Sequence, residues 1–146
     1  MKPHGALYEE VGKGGVVYET LRDAVGETCA AATALVLPSG CRATAMALRD
    51  GVPAREEGFC DRAYRLDGGL VPRGEPGAVF SDADEAARQG LGLARGAVAL
   101  ADGSILTLWV DTLCIHGDSP EAVGIATAVR QLLAEAGIVV AAPVPA

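Results

Sequence analysis

The chain has 146 residues, a length that fits one domain around a single hydrophobic core. Half of the residues are hydrophobic but only 4% are aromatic, so the core has to be built mainly from Ala, Val and Leu. The net charge of -7 repels a phosphate backbone and argues against nucleic acid as a partner, and no apolar stretch is long enough to cross a membrane.

The first half of the chain alternates short apolar runs with longer helical patterns, which is typical of βαβ units with parallel strands. Residues 35–38 predict a strand that ends at its proline, and residues 39–49 predict the helix that follows. Residues 52–59 predict the next strand, with Glu57 near its end. Polar side chains therefore occur where predicted strands stop.

The middle of the chain combines a loop, a helix and a hairpin. Residues 67–77 contain four glycines and two prolines and predict a long ordered loop. A helix is expected from Ser81, as its N-cap, to about Arg95. The dipeptide Asp102-Gly103 between apolar flanks predicts a small hairpin over residues 99–106.

The last part of the chain predicts a strand followed by a well-specified helix. Residues 109–115 predict the strand, and Ser119 is the expected N-cap of the helix, which Gly137 ends. Residues 138–140 then predict a closing strand, and the tail 141–146 shows no pattern.

These elements predict an α/β fold with a single domain over residues 1–146, without internal repeats or linkers. No charged region followed by an apolar stretch opens the chain, so we expect no secretory signal, a cytoplasmic location and reduced cysteines. The cysteines are too scattered for a structural zinc site: Cys29, Cys41, Cys60 and Cys114.

Four segments carry side chains suited to chemistry, and ligands of parallel α/β folds gather at the carboxyl ends of strands. The first segment, residues 1–8, places Lys2 and His4 beside a glycine. Because almost no strand precedes this segment, an exposed and frayed terminus is the alternative interpretation.

The second segment, residues 56–65, holds four candidate side chains: Glu57, Asp61, Arg62 and Tyr64. A bidentate arginine can hold a carboxylate network for acid–base chemistry or for binding a substrate carboxylate. A purely structural ion pair of Asp61 with Arg62 or Arg65 is the alternative interpretation.

The third segment, residues 70–77, carries Arg73 in a loop stiffened by proline and glycine, where it either clamps an anionic group or faces solvent. The fourth segment, residues 111–120, places His116 and Asp118 between a strand and a helix N-terminus. A histidine with an aspartate can orient or transfer a proton, and the helix end favours an anion. A histidine that is merely hydrogen-bonded is the alternative.

Three stretches of the chain together resemble the LamB/YcsF family: KPHGALY at 2–8, EGFCDRAYRLDGGLVPRGEPGAV at 57–79 and DTLCIHGDSPEAV at 111–123. The resemblance implies a partial (β/α) barrel of the glycoside hydrolase/deacetylase type, in which parallel strands alternate with helices. This chain is then the C-terminal portion of the barrel. It departs from the family pattern at Glu9, where the family tends to have a polar amide residue, and it lacks the family's N-terminal part.

The resemblance also implies a function, as a component of a 5-oxoprolinase that works with two further subunits, B and C. This enzyme couples ATP hydrolysis to the ring opening of 5-oxo-L-proline to L-glutamate, and ATP is expected to bind through the complex. The family implies nine candidate site residues. The expected catalytic residues are His4, His116, Asp118 and Glu57, and the expected substrate-binding residues are Lys2, Asp61, Arg62, Tyr64 and Arg73.

Within this set we infer that Lys2 and Arg73 bind anionic groups and that His4 or His116 transfers a proton, with Asp118 in an orienting role. The chain contains no phosphate-binding loop of the G-x-x-x-x-G-K-[ST] type, so nothing in it argues for ATP binding on its own. We expect the short chain to be inactive alone, because a barrel that lacks strands has an incomplete rim.

Two alternatives from other classes stay open. One is a metal-assisted deacetylase or carbohydrate hydrolase on a related barrel, with His4, His116 and Asp118 as ligands, although the sequence itself assigns no metal. The other is a non-catalytic fragment that serves as an interaction piece. Strand edges that lack a neighbour invite association, so formation of a homo-oligomer is open as well.

Overall fold

A computed structural model describes residues 1–30 and 32–142 of the chain. The chain forms two compact units, of which the first holds Met1–Glu57 and the second holds Gly58–Ala141. The last four residues of the unpatterned tail lie outside the described residues. The expectation that residues 1–146 are a single domain, the C-terminal portion of a barrel, stays a prediction.

The first unit contains a helical pair, then a strand, a helix and the start of a second strand. Its elements are α1 (Ala6–Gly12), α2 (Val16–Thr28), β1 (Leu35–Pro38), α3 (Arg42–Arg49) and β2 (Ala54–Phe59). Strands β1 and β2 pair in parallel, from Leu35 opposite Ala54 to Pro38 opposite Glu57. Both strands and α3 were predicted, whereas sequence analysis assigned no element to the segments that form α1 and α2.

The core of the first unit is built on the strand β1. Leu35 and Leu37 are completely buried, because alternate residues of a strand point to the same face. Tyr18 of α2 and Ala47 of α3 are also completely buried and belong to the same hydrophobic cluster. The small and branched side chains predicted from composition therefore form this core.

The N-terminus of the chain is fixed to β1 and is not frayed. The amino group of Met1 donates to Ala34 O at 2.7 Å, and Val36 N–H donates to Met1 O at 2.9 Å. These two bonds place Met1 opposite Leu35 in the manner of a residue of a parallel strand. The interpretation of residues 1–8 as a frayed terminus is therefore wrong.

The second unit continues β2 and adds five further elements: α4 (Ala83–Ala94), β3 (Ala97–Ala99), β4 (Ile105–Thr107), β5 (Thr112–Cys114) and α5 (Ala122–Glu135). In the described part of the chain the three-stranded sheet has the order β1-β2-β5, while β3 and β4 form the predicted antiparallel hairpin. The α/β fold with parallel strands and the long loop before α4 are confirmed.

Two predicted helix starts and one predicted strand are wrong. Helix α5 begins at Ala122, since Ser119 instead forms a turn in which its Oγ accepts from Glu121 N–H at 3.2 Å. The N-cap of α4 is Asp82, one residue after Ser81, and its carboxylate accepts from Glu85 N–H at 2.7 Å. Residues 138–140 form no strand, because none of the described strands pairs with them.

Two glycines inside α4 permit close packing of this helix. A Cβ on Gly92 would lie 2.4 Å from the carbonyl oxygen of Ala97, which is far inside van der Waals contact. A Cβ on Gly90 would lie 3.1 Å from Cys60 Sγ and 3.3 Å from Val129. These two glycines therefore let α4 approach the hairpin, the end of β2 and α5.

Candidate functional site

One group of candidate side chains lies in the first unit and is called the Glu57 cluster, made of Lys2, Tyr8 and Glu57. Lys2 Nζ lies 2.7 Å from Glu57 Oε2 and 2.9 Å from Oε1. The hydroxyl of Tyr8 donates to Glu57 Oε2 at 3.0 Å, and Lys2 Nζ lies 5.5 Å from the centre of the Tyr8 ring.

Each member of the Glu57 cluster is positioned by a different element. Lys2 follows the Met1 residue that pairs with β1, Tyr8 is in the first helix, and Glu57 is near the end of β2. Glu57 is only 5% exposed, so its charge has to be balanced by a cation and a hydrogen-bond donor. Lys2 and Tyr8 supply both, and 26% of the Lys2 side chain remains exposed.

The second group lies in the second unit and is called the Asp61–His116 pair. Both carboxylate oxygens of Asp61 lie 3.0 Å from His116 Nδ1, and His116 N–H donates to Asp61 Oδ2 at 3.0 Å. Asp61 is 1% exposed, whereas 26% of the His116 side chain is exposed. A carboxylate that accepts from Nδ1 fixes the ring and leaves Nε2 as the nitrogen that can exchange a proton.

The surroundings of the Asp61–His116 pair restrict its motion. The ring of Phe59 stacks on the imidazole of His116, with centroids 5.4 Å apart and planes inclined by 15°. Phe59 N–H donates to the hydroxyl oxygen of Tyr64 at 2.7 Å, which fixes the backbone where β2 ends. Burial, with a smaller contribution from the charge of Asp61, raises the pKa of the Cys60 thiol to about 12. Cys60 therefore stays protonated at neutral pH and is not a thiolate nucleophile.

Two candidate arginines, Arg62 before the loop and Arg73 within it, have structural partners. Arg62 Nε donates to Ala78 O at 3.2 Å and its Nη2 donates to Val71 O at 2.7 Å, so this 4% exposed side chain binds the backbone in the middle of the loop and just after it. Arg73 Nη1 lies 3.3 Å from Asp118 Oδ2, and both side chains are exposed. Asp118 thus contacts Arg73, and it is Asp61 that contacts His116.

His4 was expected to be catalytic or a metal ligand, and His, Cys, Asp and Glu are the side chains that could bind a metal ion. His4 is exposed, and no described residue forms a hydrogen bond or ion pair with its ring. Among residues 1–30 and 32–142, no group of three or more His, Cys, Asp or Glu side chains is arranged to hold a metal ion. The four cysteines, all within the described ranges, are free thiols.

Three residues that shape the two groups were not among the nine candidates: Tyr8, Phe59 and Gln89. Tyr8 and Phe59 lie in the sequence stretches on which the family resemblance rests. Both are close in sequence to candidate residues, and this closeness could have identified them. Gln89 is one of several polar residues on a helix, and nothing in its sequence context separates it from a solvent-exposed side chain.

The fold and the two side-chain groups define an α/β protein in which polar residues follow the ends of parallel strands and an aspartate orients a histidine. Comparison with known proteins agrees with this class. The chain belongs to the LamB/YcsF family, whose model matches residues 1–146.

Three relatives show how similar the chain is to known members. It is 46% identical over 97% of its length to the A subunit of 5-oxoprolinase from Streptomyces griseus, of which it covers 57%. It is 41% identical over 97% of its length to that of Methylococcus capsulatus, of which it covers 55%. The crystal structure of a lactam utilization protein from Thermus thermophilus superposes with a TM-score of 0.87 at 36% identity, covering 97% of this chain and 56% of that one.

The chain therefore spans a little over half the length of the relatives that it matches. The high TM-score at this identity supports a partial barrel of the kind that the resemblance implied. In the described part of the chain, no helix combines the length and the apolar character needed to cross a membrane.

Proposed function

We propose that the chain is part of the A subunit of a 5-oxoprolinase and contributes residues that open the ring of 5-oxo-L-proline to L-glutamate. The observation that carries this proposal is the Asp61–His116 pair, in a chain whose relatives are named as the A subunit of 5-oxoprolinase. An oriented imidazole is the general acid–base group that amide opening needs. The B and C subunits are the partners, and ATP enters through the complex.

The chemistry explains why ATP is consumed. An unstrained lactam resists water, and a phosphoryl group on its oxygen turns that oxygen into a better leaving group. Water then adds to the ring carbon and loses a proton, and the ring C–N bond breaks as its nitrogen gains a proton, which leaves an acyl phosphate. A second water attacks that acyl phosphate and loses a proton, phosphate departs, and the side-chain carboxylate of glutamate remains. We assign the removal and return of these protons to Nε2 of His116, with Asp61 holding Nδ1.

The remaining candidates support binding. Lys2 and Arg73 are cations that can bind a phosphate or the carboxylate of the substrate, and each is already next to a carboxylate that sets its position. Glu57 holds Lys2 in place, and Tyr8 shares that carboxylate. Arg62 and Tyr64 shape the backbone around Asp61. His4, which has no orienting carboxylate, receives no role in proton transfer.

The alternative of a metal-assisted deacetylase has less support. The aspartate that its ligand set requires, Asp118, is paired with Arg73. The other alternative, a non-catalytic fragment that serves as an interaction piece, does not explain why Asp61 orients His116.

The test uses a chimeric protein, called the joined protein. In it, this chain replaces the matching part of the A subunit of 5-oxoprolinase from Streptomyces griseus, to which it is 46% identical. Glutamate release from 5-oxoproline is measured with ATP and the B and C subunits. We expect His116→Ala to lower kcat by about a hundredfold or more in a protein that is still folded by circular dichroism, because general acid–base catalysis contributes on that order.

His4→Ala is the matched control, since it removes the other histidine of the chain. We expect it to keep the activity of the parent protein. Full turnover by His116→Ala would contradict the proposal, and loss of turnover in His4→Ala alone would transfer the proton-transfer role to that residue.

A further inference from the structure

The side chain of Gln89, on α4, binds the backbone at the place where β2 ends. Its Nε2 lies 2.6 Å from Phe59 O, 2.6 Å from Arg62 O and 3.2 Å from Cys60 O. Carbonyl oxygens only accept hydrogen bonds, so the amide NH₂ group has to face them. The orientation of the Gln89 amide is therefore determined by its partners.

These carbonyls flank Asp61. The backbone of Asp61 is also held by Phe80 N–H, which donates to Asp61 O at 3.0 Å. Cys60 N–H donates to Cys114 O at 3.0 Å, two residues before His116. Gln89 thus fixes the residues on both sides of the carboxylate that fixes His116.

The packing around Gln89 suits this function. Its neighbour Gly90 lets α4 approach Cys60, since a Cβ there would lie 3.1 Å from Cys60 Sγ. In this close packing the amide of Gln89 lies within hydrogen-bonding distance of the carbonyls of residues 59, 60 and 62. An apolar side chain of the same length would leave these partly buried carbonyls without that donor.

We propose that Gln89 is a positioning residue for His116, acting through the backbone of residues 59–62 and the carboxylate of Asp61. The catalytic importance of this positioning rests on the proposed function, in which His116 transfers protons. The connection from Gln89 to His116 itself is argued only from the hydrogen bonds between them and Asp61. Gln89 touches no reacting group and acts entirely by keeping the imidazole in one orientation.

The test measures the hydrogen bond between His116 and Asp61 directly in the isolated chain. The chain has two histidines, so ¹⁵N NMR with His4→Asn assigns the ring signals. We expect an Nδ1–H proton of His116 that exchanges slowly with water. In Gln89→Met, which keeps the length of the side chain but removes the donor, we expect this exchange to be about tenfold faster.

The matched control is Gln131→Met, which removes the other glutamine of the chain. Gln131 is on α5 and its Nε2 donates to the exposed Glu135 at 2.9 Å, outside the site. We expect the His116 Nδ1–H proton to exchange at the same rate in Gln131→Met as in the parent chain. A second variant, Gln89→Asn, keeps the donor but shortens the side chain. We expect its His116 Nδ1–H proton to exchange faster than in the parent chain but more slowly than the rate expected for Gln89→Met. This variant keeps the test decisive if Gln89→Met does not fold.

Activity separates this inference from the proposed function. In the joined protein we expect Gln89→Met to lower kcat and leave KM unchanged, because substrate binding is not altered. Unchanged exchange of the His116 ring proton in the folded Gln89 variants would overturn the inference. Faster exchange together with full activity of His116→Ala would keep the positioning role and remove the proposed function instead.

Discussion

At the scale of single residues, two buried tyrosines of the first unit differ in what their hydroxyl groups contact. Tyr8 donates to the carboxylate of Glu57 at 3.0 Å. The hydroxyl of Tyr18 is buried without a hydrogen-bond partner among the described residues, and burial raises the pKa of this phenol. A buried hydroxyl without a partner costs free energy, whereas a donor to a buried carboxylate stabilises the fold.

The two tyrosines therefore predict opposite results for the same substitution. We expect Tyr18→Phe to leave the free energy of unfolding unchanged or to raise it by about 1 kcal/mol. We expect Tyr8→Phe to lower it by about 2 kcal/mol, because Glu57 loses a donor. Urea unfolding followed by circular dichroism measures both values. Equal losses in the two variants would mean that Tyr18 has a hydrogen-bond partner in solution.

At the scale of elements, the glycines of two helices have different environments. A Cβ on Gly92 of α4 would lie 2.4 Å from the carbonyl oxygen of Ala97, while a Cβ on Gly26 of α2 would meet nothing within 4 Å. An alanine in an exposed helix position is favoured over glycine by up to about 1 kcal/mol. At Gly92 that gain is opposed by a backbone clash that the flanking hairpin has to relieve.

We therefore expect Gly92→Ala to lower the melting temperature and Gly26→Ala to raise it or leave it unchanged. The expected loss in Gly92→Ala is on the order of 1–3 kcal/mol, the usual cost of overpacking a close contact. Differential scanning calorimetry of both variants gives the comparison. A stabilised Gly92→Ala would show that α4 and β3 can separate without cost.

The elements also show how much the sequence could predict. Strands β1 and β2, helix α3 and the hairpin were predictable, because each has a local apolar pattern or a turn dipeptide such as Asp102-Gly103. Residues 138–140 have the apolar pattern of a strand but no described pairing partner, so a local pattern was not sufficient there. Helix α2 was missed although Tyr18 and Val25 face the core two helical turns apart.

The sequence suggested a set of candidate residues but not the contacts that they make. His116 and Asp61 are 55 residues apart in the chain, and only folding shows that they form a pair. Asp118 is closer to His116 in sequence and was the expected orienting group, yet it contacts Arg73. Local spacing could not distinguish the two aspartates, because pairing between strand ends depends on the order of strands in the sheet.

At the scale of the whole molecule, the extent of the chain relative to its relatives bears most on activity. The chain spans 57% of the length of one relative and 55% of another. Within the described residues, the edge of β1 that faces away from β2 is paired through Met1 alone. A strand edge with free backbone groups is a place where further polypeptide can add. The part of those relatives that this chain does not match is a candidate for such an addition.

We therefore expect the 146-residue chain alone to release no glutamate from 5-oxoproline, even with ATP and the B and C subunits present. The joined protein with the remaining part of a relative should release glutamate, because it adds the 5-oxoprolinase sequence that this chain does not match. A coupled glutamate assay on both proteins, at equal concentration and after circular dichroism has verified folding, makes the comparison. Equal rates would show that these residues already contain every group the reaction needs, and activity in neither protein would count against the proposed function itself.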